Sequence, residues 1–215
     1  MKNYTRRYKN VKIGKGSVVE EFVVIGHPPR GKTDGELPTV IGRNALIHSG
    51  TVIYAGNRIG DNFQTGHNVT IRESNRIGDD VSVGSLSCIE YKIVIGDAVR
   101  IHSQAFIPEY SHLKDKCWIG PNVVFTNAPH PLCPRVKDCL KGPTVEEGAK
   151  IGANSTLLPG VVIGRDALIG AGSVVVKDVL PRCVVAGNPA KRIKDIDSLK
   201  CRYKLVEHPY APGKY

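Results

Sequence analysis

Residues 41–58 read IGRNAL, IHSGTV and IYAGNR, three groups of six residues that each begin with isoleucine. The same period continues without a break to Phe125, and all of its 15 first positions except Thr65 are Ile, Val, Leu or Phe. A helix cannot produce this pattern, because its apolar residues recur about every 3.6 positions. The period of six therefore indicates a repeat of short strands and turns.

Two further runs have the same period, one before residue 41 and one from Val145 to Leu180. Together the three runs contain 24 hexads, or about eight coils if three hexads form one turn. The fifth position of most hexads is a small residue, which fits a narrow corner, while the large first residue fills the middle of a flat face. Asn57 and Asn75 are exceptions at the fifth position, three hexads apart, and we expect them to stack as a structural ladder of amides.

The register of the repeat is interrupted twice. Loops 27–40 and 127–144 hold ten and fourteen residues more than the hexad period allows. Loops on a rigid scaffold commonly carry binding residues. We therefore predict one β-helix domain over residues 1–193 with both loops inserted, followed by a tail over residues 194–215 that is a short basic helix or an extended segment.

The composition narrows the class of protein. Hydrophobic residues make up 41% of the 215 and charged residues 23%, which is typical of a folded chain in water. The net charge of +10 suits phosphorylated ligands or nucleic acid, but the basic residues lack the interleaved aromatics of a nucleic-acid stacking surface, so we expect no nucleic-acid partner. No apolar run reaches the roughly 20 residues that span a bilayer, and the start of the chain lacks the apolar centre of a signal peptide. We expect a cytoplasmic protein with no membrane insertion.

The C-terminal part of the repeat carries linked motifs. Residues 169–175 read IGAGSVV, Lys177 opens a Lys-Asp-Val segment, and the repeat ends in Gly-Asn-Pro-Ala-Lys at 187–191. With the hexads, these motifs resemble the hexapeptide-repeat acyltransferases. The resemblance implies an all-β fold, a left-handed parallel β-helix, with acetyl-CoA as the co-substrate.

The resemblance also implies where CoA binds. Residues three hexads apart are vertical neighbours in such a fold, so Gly152 and Ala153 lie one coil from Gly170 and Ala171. A column of small residues leaves backbone amides and carbonyls open to a pantetheine arm. Basic side chains at the end of the column suit the phosphates of the cofactor, although a solvated basic rim is the alternative. These side chains are Lys177, Lys191 and Arg192.

Residues 120–127 read GPNVVFTN and are followed by a loop that contains proline. With this run, residues 76–193 further resemble the acetyltransferases that modify the amino group of a nucleotide-linked 3-amino sugar. In those enzymes an acidic residue and an asparagine lie one coil apart beside the amino sugar. Glu109 and Asn127 are three hexads apart and each is third in its hexad, so they share one column. A carboxylate there would orient the amine or a sugar hydroxyl, and an amide would hold the thioester carbonyl or the incoming nitrogen. The resemblance implies a UDP- or dTDP-amino sugar as substrate and a homotrimer with CoA bound between neighbouring chains.

His102 raises an alternative chemistry. It lies on the hexad before Glu109, and an imidazole there would serve as a general base. An essential base favours a sugar or serine O-acetyltransferase, whereas a structural histidine at a corner leaves the N-acetyltransferase in place. A γ-carbonic-anhydrase-like enzyme and a β-helix assembly subunit without chemistry are further alternatives. His48, His67 and His102 share one face, but roughly 10 Å separates the last two, too far for a common zinc ion.

The second loop offers a different metal candidate. It contains His130, Cys133 and Cys139, to which the tail adds Cys201 or His208. A structural zinc or iron ion is one reading of these residues, and loop cysteines without metal are the other, because the spacing is not a standard zinc pattern. Cys117 is at an inward fifth position and is expected to be a small buried residue.

Overall fold

The computed structural model describes residues 4–210, which form a parallel β-helix of three sheets. Each strand pairs in parallel with the strand one coil away, and within the repeat the partners are three hexads apart, as in the pairing of Thr70 with Cys88. Backbone N–H and C=O groups are therefore satisfied between coils. This arrangement confirms the all-β fold predicted from the hexads.

The first sheet is parallel throughout. Its strands are β1 (Arg6–Arg7), β4 (Val24–His27), β7 (Val52–Tyr54), β10 (Thr70–Ile71), β13 (Cys88–Ile89), β16 (Phe106–Ile107), β19 (Val124–Phe125), β22 (Thr156–Leu157) and β25 (Val174–Val175).

The second sheet is also parallel and is extended by an isolated bridge between Ile163 and Val179. Its strands are β2 (Val11–Ile13), β5 (Thr39–Ile41), β8 (Arg58–Ile59), β11 (Arg76–Ile77), β14 (Val94–Ile95), β17 (His112–Leu113), β20 (Thr144–Val145) and β23 (Val162–Ile163).

The third sheet ends in an antiparallel strand, β27. Its strands are β3 (Val18–Val19), β6 (Leu46–Ile47), β9 (Gln64–Thr65), β12 (Ser82–Val83), β15 (Arg100–Ile101), β18 (Trp118–Ile119), β21 (Lys150–Ile151), β24 (Leu168–Ile169), β26 (Cys183–Ala186) and β27 (Lys191–Asp195).

Within residues 4–210 the β-helix has nine coils, one more than the eight counted from the hexads. The first coil begins one hexad early, where Arg7 pairs with Ile25. The last coil closes irregularly, because Val179 bridges to Ile163 and Val185 pairs with Ile169. A count of hexads misses both, because Arg7 is not apolar and because Val179 follows Val175 by four residues, which breaks the period of six.

The core consists of the first and fifth hexad positions, as predicted. Ile47, Ile71 and Ile107 are fully buried first positions, and Val69 and Ala149 are fully buried fifth positions. Apolar burial at about 25 cal/mol per Å² makes this column of side chains the main stabilising feature of the fold.

Asn57 and Asn75 form the predicted ladder, but their side chains bond to backbone groups of the next coil and not to each other. The Asn75 N–H donates to Asn57 Oδ1 at 2.9 Å, and the Ile93 N–H donates to Asn75 Oδ1 at 2.8 Å. Their side-chain amides donate to the Arg72 carbonyl at 2.7 and 2.9 Å. Each buried amide thus satisfies backbone groups of adjacent coils.

The three edges of the prism are named by the sheets that they join. The first edge joins the first sheet to the second, the second edge joins the second to the third, and the third edge joins the third to the first. Both loops leave the first edge, since residues 28–38 connect β4 to β5 and residues 126–143 connect β19 to β20. The second loop contains one turn of 3-10 helix, Val136–Asp138.

The segment after the repeat folds back on the end of the prism. The predicted boundary between residues 193 and 194 falls inside β27, which pairs with β26. A 3-10 turn, Ile196–Ser198, follows, and Arg182 forms an ion pair with Asp197. Across residues 4–210, no helix is long and apolar enough to cross a bilayer.

Candidate active site

The first edge carries polar and aromatic side chains between the two loops. Glu73, Tyr91, Glu109 and Asn127 follow one another at intervals of three hexads and form one column along this edge. The column ends at the base of the second loop, where the Lys141 N–H donates to the Asn127 carbonyl at 2.9 Å. A rigid edge flanked by two loops is a suitable position for a substrate site.

Glu109 and Asn127 are in direct contact, as their shared column predicted. Asn127 Nδ2 donates to Glu109 Oε2 at 2.6 Å, and both residues are half-buried. This contact fixes the orientation of the Asn127 amide, because its N–H₂ group is engaged by the carboxylate. The amide oxygen and the second carboxylate oxygen remain available to a ligand.

Two tyrosines adjoin Glu109. The rings of Tyr91 and Tyr110 meet edge to face with their centroids 6.1 Å apart, and the ammonium group of Lys92 lies 5.9 and 5.8 Å from the two ring centroids. Burial, reinforced by the charge of Glu109, raises the pKa of Tyr91 to about 12. Tyr110 itself has a φ of 65°, a left-handed conformation that is unusual for an aromatic residue and places it beside the site.

An arginine lies further along the same edge. Arg72 Nε donates to Glu73 at 2.9 Å, its guanidinium lies 3.6 Å from Glu90, and it stacks over the Tyr54 ring at 4.8 Å. Hydrogen bonding to Glu73 raises the pKa of Arg72. Motif comparison did not single out these residues, but extending the Glu109 column by steps of three hexads leads to Tyr91 and Glu73.

The third edge carries the glycine and alanine column predicted to bind CoA. Gly152 is required there by packing, because an added Cβ would lie 2.5 Å from the Ala171 nitrogen. The close approach of the next coil therefore explains in part why glycine occupies these positions. The Gly152 and Gly170 N–H groups donate to Ile169 and Val185 at 2.8 Å.

The alanines of this column leave backbone groups open. At the corresponding position on the second edge, the Asp61 N–H donates to the Asp79 carboxylate at 2.7 Å, one coil on. Ala153 faces Ala171 one coil on, and a methyl group accepts no hydrogen bond. The Ala153 and Ala171 N–H groups accordingly have no acceptor within residues 4–210. Two aligned donors of this kind suit the amide carbonyls of an extended ligand.

The basic residues assigned to the cofactor lie at the same end of the prism. Lys177 follows β25, and Lys191 and Arg192 belong to β27; all three are exposed. Arg192 donates to Asp195 at 2.7 Å, so a bound phosphate would compete with this carboxylate.

His102 does not share the edge of Glu109 and Asn127. It follows β15 of the third sheet and lies on the third edge, where its ring packs against Trp118 with centroids 4.6 Å apart. One hexad in sequence is one edge of the prism, so the short segment between His102 and Glu109 moves the chain onto a different edge. Within one chain His102 aligns with the Gly152 column, two coils or about 10 Å away.

The structure does not support the metal site predicted in the second loop. The ligand atoms of His130, Cys133 and Cys139 do not converge among residues 4–210. The loop turns from His130 to Cys133, and the Cys139 thiol points back to the Val136 carbonyl at 3.3 Å. Local turn geometry, which spacing does not define, separates the three side chains. Cys117 is fully buried as predicted, and burial raises its pKa to about 12.

A different cluster lies on the third edge, near the start of the prism. The ligand atoms of Glu20, His48 and His67 lie within 4.8 Å of one another. The sequence prediction excluded a common site for His48, His67 and His102, and the structure agrees in leaving His102 outside this cluster. Glu20 was missed because the first loop hides its register: the spacing from Glu20 to His48 is one coil plus the ten inserted residues.

Comparison with known proteins supports the same family. Residues 142–177 match the family model described as bacterial transferase hexapeptide (six repeats). A galactoside O-acetyltransferase of Lactococcus lactis is 39% identical over 96 residues, which cover 41% of this chain and 44% of the relative. A 2,3,4,5-tetrahydropyridine-2,6-dicarboxylate N-acetyltransferase of Clostridium perfringens is 53% identical over 53 residues, which cover 25% of this chain and 22% of the relative. The chain thus spans less than half the length of these curated relatives.

A solved structure shares the fold. The UDP-N-acetylglucosamine acyltransferase of Bacteroides fragilis superimposes with a TM-score of 0.59 and 16% identity, covering 91% of this chain and 74% of that chain. This likeness shows a common fold, the left-handed parallel β-helix. The hexad repeat and the three-sheet prism of this chain are thus similar to those of the hexapeptide-repeat transferases, whose family model matches residues 142–177.

Proposed function

We propose that this protein is an acetyltransferase that takes its acetyl group from acetyl-CoA. The unpaired amides of Ala153 and Ala171 support this proposal, because they offer two donors in line along the third edge. The O- and N-acetyltransferases among the relatives support it independently. CoA lies along this column with its phosphates toward Lys177, Lys191 and Arg192.

We infer that the acceptor is the amino group of a nucleotide-linked amino sugar. The contact of 2.6 Å between Asn127 and Glu109 carries this inference. The carboxylate orients the amine, and the Asn127 amide oxygen accepts a hydrogen bond from the incoming nitrogen. The amine nitrogen attacks the carbonyl carbon, the carbon–sulfur bond breaks, and the proton lost by the amine passes to the departing sulfur of CoA.

The two halves of this site lie on different edges of one chain. Glu109 and Asn127 are on the first edge, and the Ala153 column is on the third edge. A cyclic homotrimer would bring the first edge of one chain against the third edge of the next. We therefore propose that acetyl transfer takes place between subunits, with His102 on the CoA side of the site.

O-acetylation is the second candidate, and the galactoside O-acetyltransferases among the relatives favour it. A hydroxyl attacks a thioester at a useful rate only when a base removes its proton, which contributes roughly 100- to 10,000-fold. His102 is the residue on the third edge that would act as this base.

A screen of acceptors separates these candidates. UDP- and dTDP-amino sugars and their hydroxyl counterparts are incubated with enzyme and acetyl-CoA, and free thiol is measured. We expect thiol release with an amino sugar and little with its hydroxyl counterpart. Release with hydroxyl acceptors alone would move the assignment to O-acetylation. Failure to bind CoA in a calorimetric titration would contradict both candidates and favour an assembly subunit without chemistry.

A further inference from the structure

We propose that Glu20, His48 and His67 bind a divalent transition-metal ion, with zinc as the best match. Two imidazoles and one carboxylate are a ligand set that zinc uses in sites that keep an open position. Glu20 is half-buried at the end of the third sheet's first strand, and the two histidines follow on the next two coils. The site therefore spans three successive coils on the third edge.

The distances permit coordination with small side-chain movements. His48 Nδ1 lies 2.8 Å from Glu20 Oε1, and the His48 and His67 ring centroids are 4.9 Å apart. Ligand atoms about 2.0 Å from a tetrahedral ion are roughly 3.3 Å from each other, which lies within the 4.8 Å that separates the three ligand atoms here at most. Binding would replace the proton shared by His48 and Glu20.

Surrounding groups hold the ligands in place. The Ser49 N–H and hydroxyl donate to Glu20 Oε2 at 2.9 and 3.2 Å. The backbone of His48 donates to Thr65 Oγ1 at 3.1 Å, and the backbone of His67 donates to Ser85 Oγ at 2.9 Å. The Ser49 bonds orient the Glu20 carboxylate, as bonds to a ligand's outer atoms do in metal sites, and the other two fix the main chain that carries the histidines.

The presence of His67 makes this cluster different from an ordinary ion pair of Glu20 and His48. A pair of Glu20 and His48 is complete without a third group, yet the His67 ring is directed to the same point. The His67 ring forms no hydrogen bond to any group of residues 4–210 and contacts the His48 ring. His67 is exposed, and a metal ion would bind the ring nitrogen that no protein group of residues 4–210 engages.

The site is separate from the CoA column. His67 and Ala153 lie four coils apart on the third edge, which is about 19 Å. A surface depression beside the cluster, lined by Gly66, Gly84 and His102, leaves a coordination position open to water or an anion. Metal binding is thus testable without reference to acetyl transfer.

The test is a titration of chelator-stripped protein with Co²⁺, followed by visible absorption, and with Zn²⁺, followed by calorimetry. We expect saturation at one ion per chain. Glu20→Gln and His67→Ala should each weaken binding at least about tenfold, a loss seen even when residues that orient a ligand are changed.

Matched controls locate the ion. His112→Ala removes an exposed histidine of the second sheet, and the double variant Cys133→Ser, Cys139→Ser removes the loop thiols; neither should alter affinity. Full binding by His67→Ala, or loss of binding in the cysteine variant, would overturn the proposal. X-ray absorption of the zinc-loaded wild type needs no variant: nitrogen and oxygen ligands at about 2.0–2.1 Å are expected, and sulfur at about 2.3 Å would contradict the site.

Discussion

At the residue scale, Asn127 is held from two directions. Its side chain donates to Glu109, and its carbonyl accepts the Lys141 N–H that closes the second loop. An amide fixed in this way presents its oxygen in one orientation, which is what a positioning group requires.

Replacing either partner should impair turnover more than cofactor binding. We expect Asn127→Ala and Glu109→Gln to lower kcat with an amino-sugar acceptor by about 100-fold, because each removes a group that acts on acceptor geometry. The Kd for CoA, measured by calorimetry, should stay within about twofold. Glu147→Gln, which changes a carboxylate on the second edge, is the control. Wild-type rates in both site variants would refute the assignment.

His102 distinguishes the two acetyl-transfer chemistries. A sugar amine needs only a modest shift in its pKa to supply a neutral nucleophile, so His102→Asn should cost at most about tenfold in kcat, partly recovered at higher pH. Steady-state rates across pH measure this effect. A loss of a thousandfold or more at every pH would make His102 an obligatory base and favour O-acetylation.

Tyr91 should report on Glu109 through its ionisation. Its pKa is raised to about 12, so the folded protein holds this proton more firmly than the unfolded chain does. The resulting stability is present below a pH of about 10 and is lost as pH rises toward 12. Ultraviolet titration should show a late-ionising tyrosine that disappears in Tyr91→Phe and persists in Tyr203→Phe. An unchanged titration curve in Tyr91→Phe would contradict this environment.

Residue positions could be predicted from the sequence where the period of three hexads applies. Glu109 and Asn127 meet because they share a column, and Tyr91 and Glu73 could have been added by the same step. Glu20 was hidden by the first loop, and His102 was grouped with Glu109 because they are close in sequence, although one hexad moves the chain to another edge. His130, Cys133 and Cys139 lie in a loop without repeat, where spacing does not determine contact.

At the scale of elements, the third edge differs from the second in one respect. On the second edge, Asp61, Asp79 and Asp97 each donate their N–H to a carboxylate one coil on, at 2.7, 2.8 and 2.9 Å. On the third edge no residue described at this position is an aspartate, and the N–H donors of Ala153 and Ala171 remain open.

This difference provides a variant that should block CoA without damaging the fold. Ala171→Asp would place a carboxylate to accept the Ala153 N–H, as Asp79 does for Asp61. We expect Tm to be unchanged or slightly raised, since such a hydrogen bond contributes about 1 kcal/mol, and the KM for acetyl-CoA to rise at least tenfold. The control is Asn154→Asp, which adds the same negative charge at the residue that follows Ala153, one coil away from Ala171. An unaltered KM in Ala171→Asp would contradict CoA binding at this column.

The strands themselves were predictable because the first and fifth positions of nearly every hexad are buried in the same way. The ninth coil was not, since Arg7 is not apolar although it pairs with Ile25, and Val179 pairs with Ile163 outside the register of six. The edge from which both loops leave follows from the hexad count, but their path does not, because it depends on individual turns.

At the scale of the whole molecule, the central claim is that the acceptor edge and the CoA edge come from different chains. Subunit complementation tests this claim directly: Asn127→Ala and Ala171→Asp are mixed, unfolded and refolded together, and activity is measured well below the wild-type KM for acetyl-CoA, where each variant alone should have at most about a tenth of the wild-type rate. In a homotrimer, random mixing gives intact interfaces at about one site in four, so activity should return to roughly a quarter of the wild-type rate. Light scattering should give the mass of three chains. A mass of one chain, or a mixture no more active than its parts, would contradict a site shared between subunits.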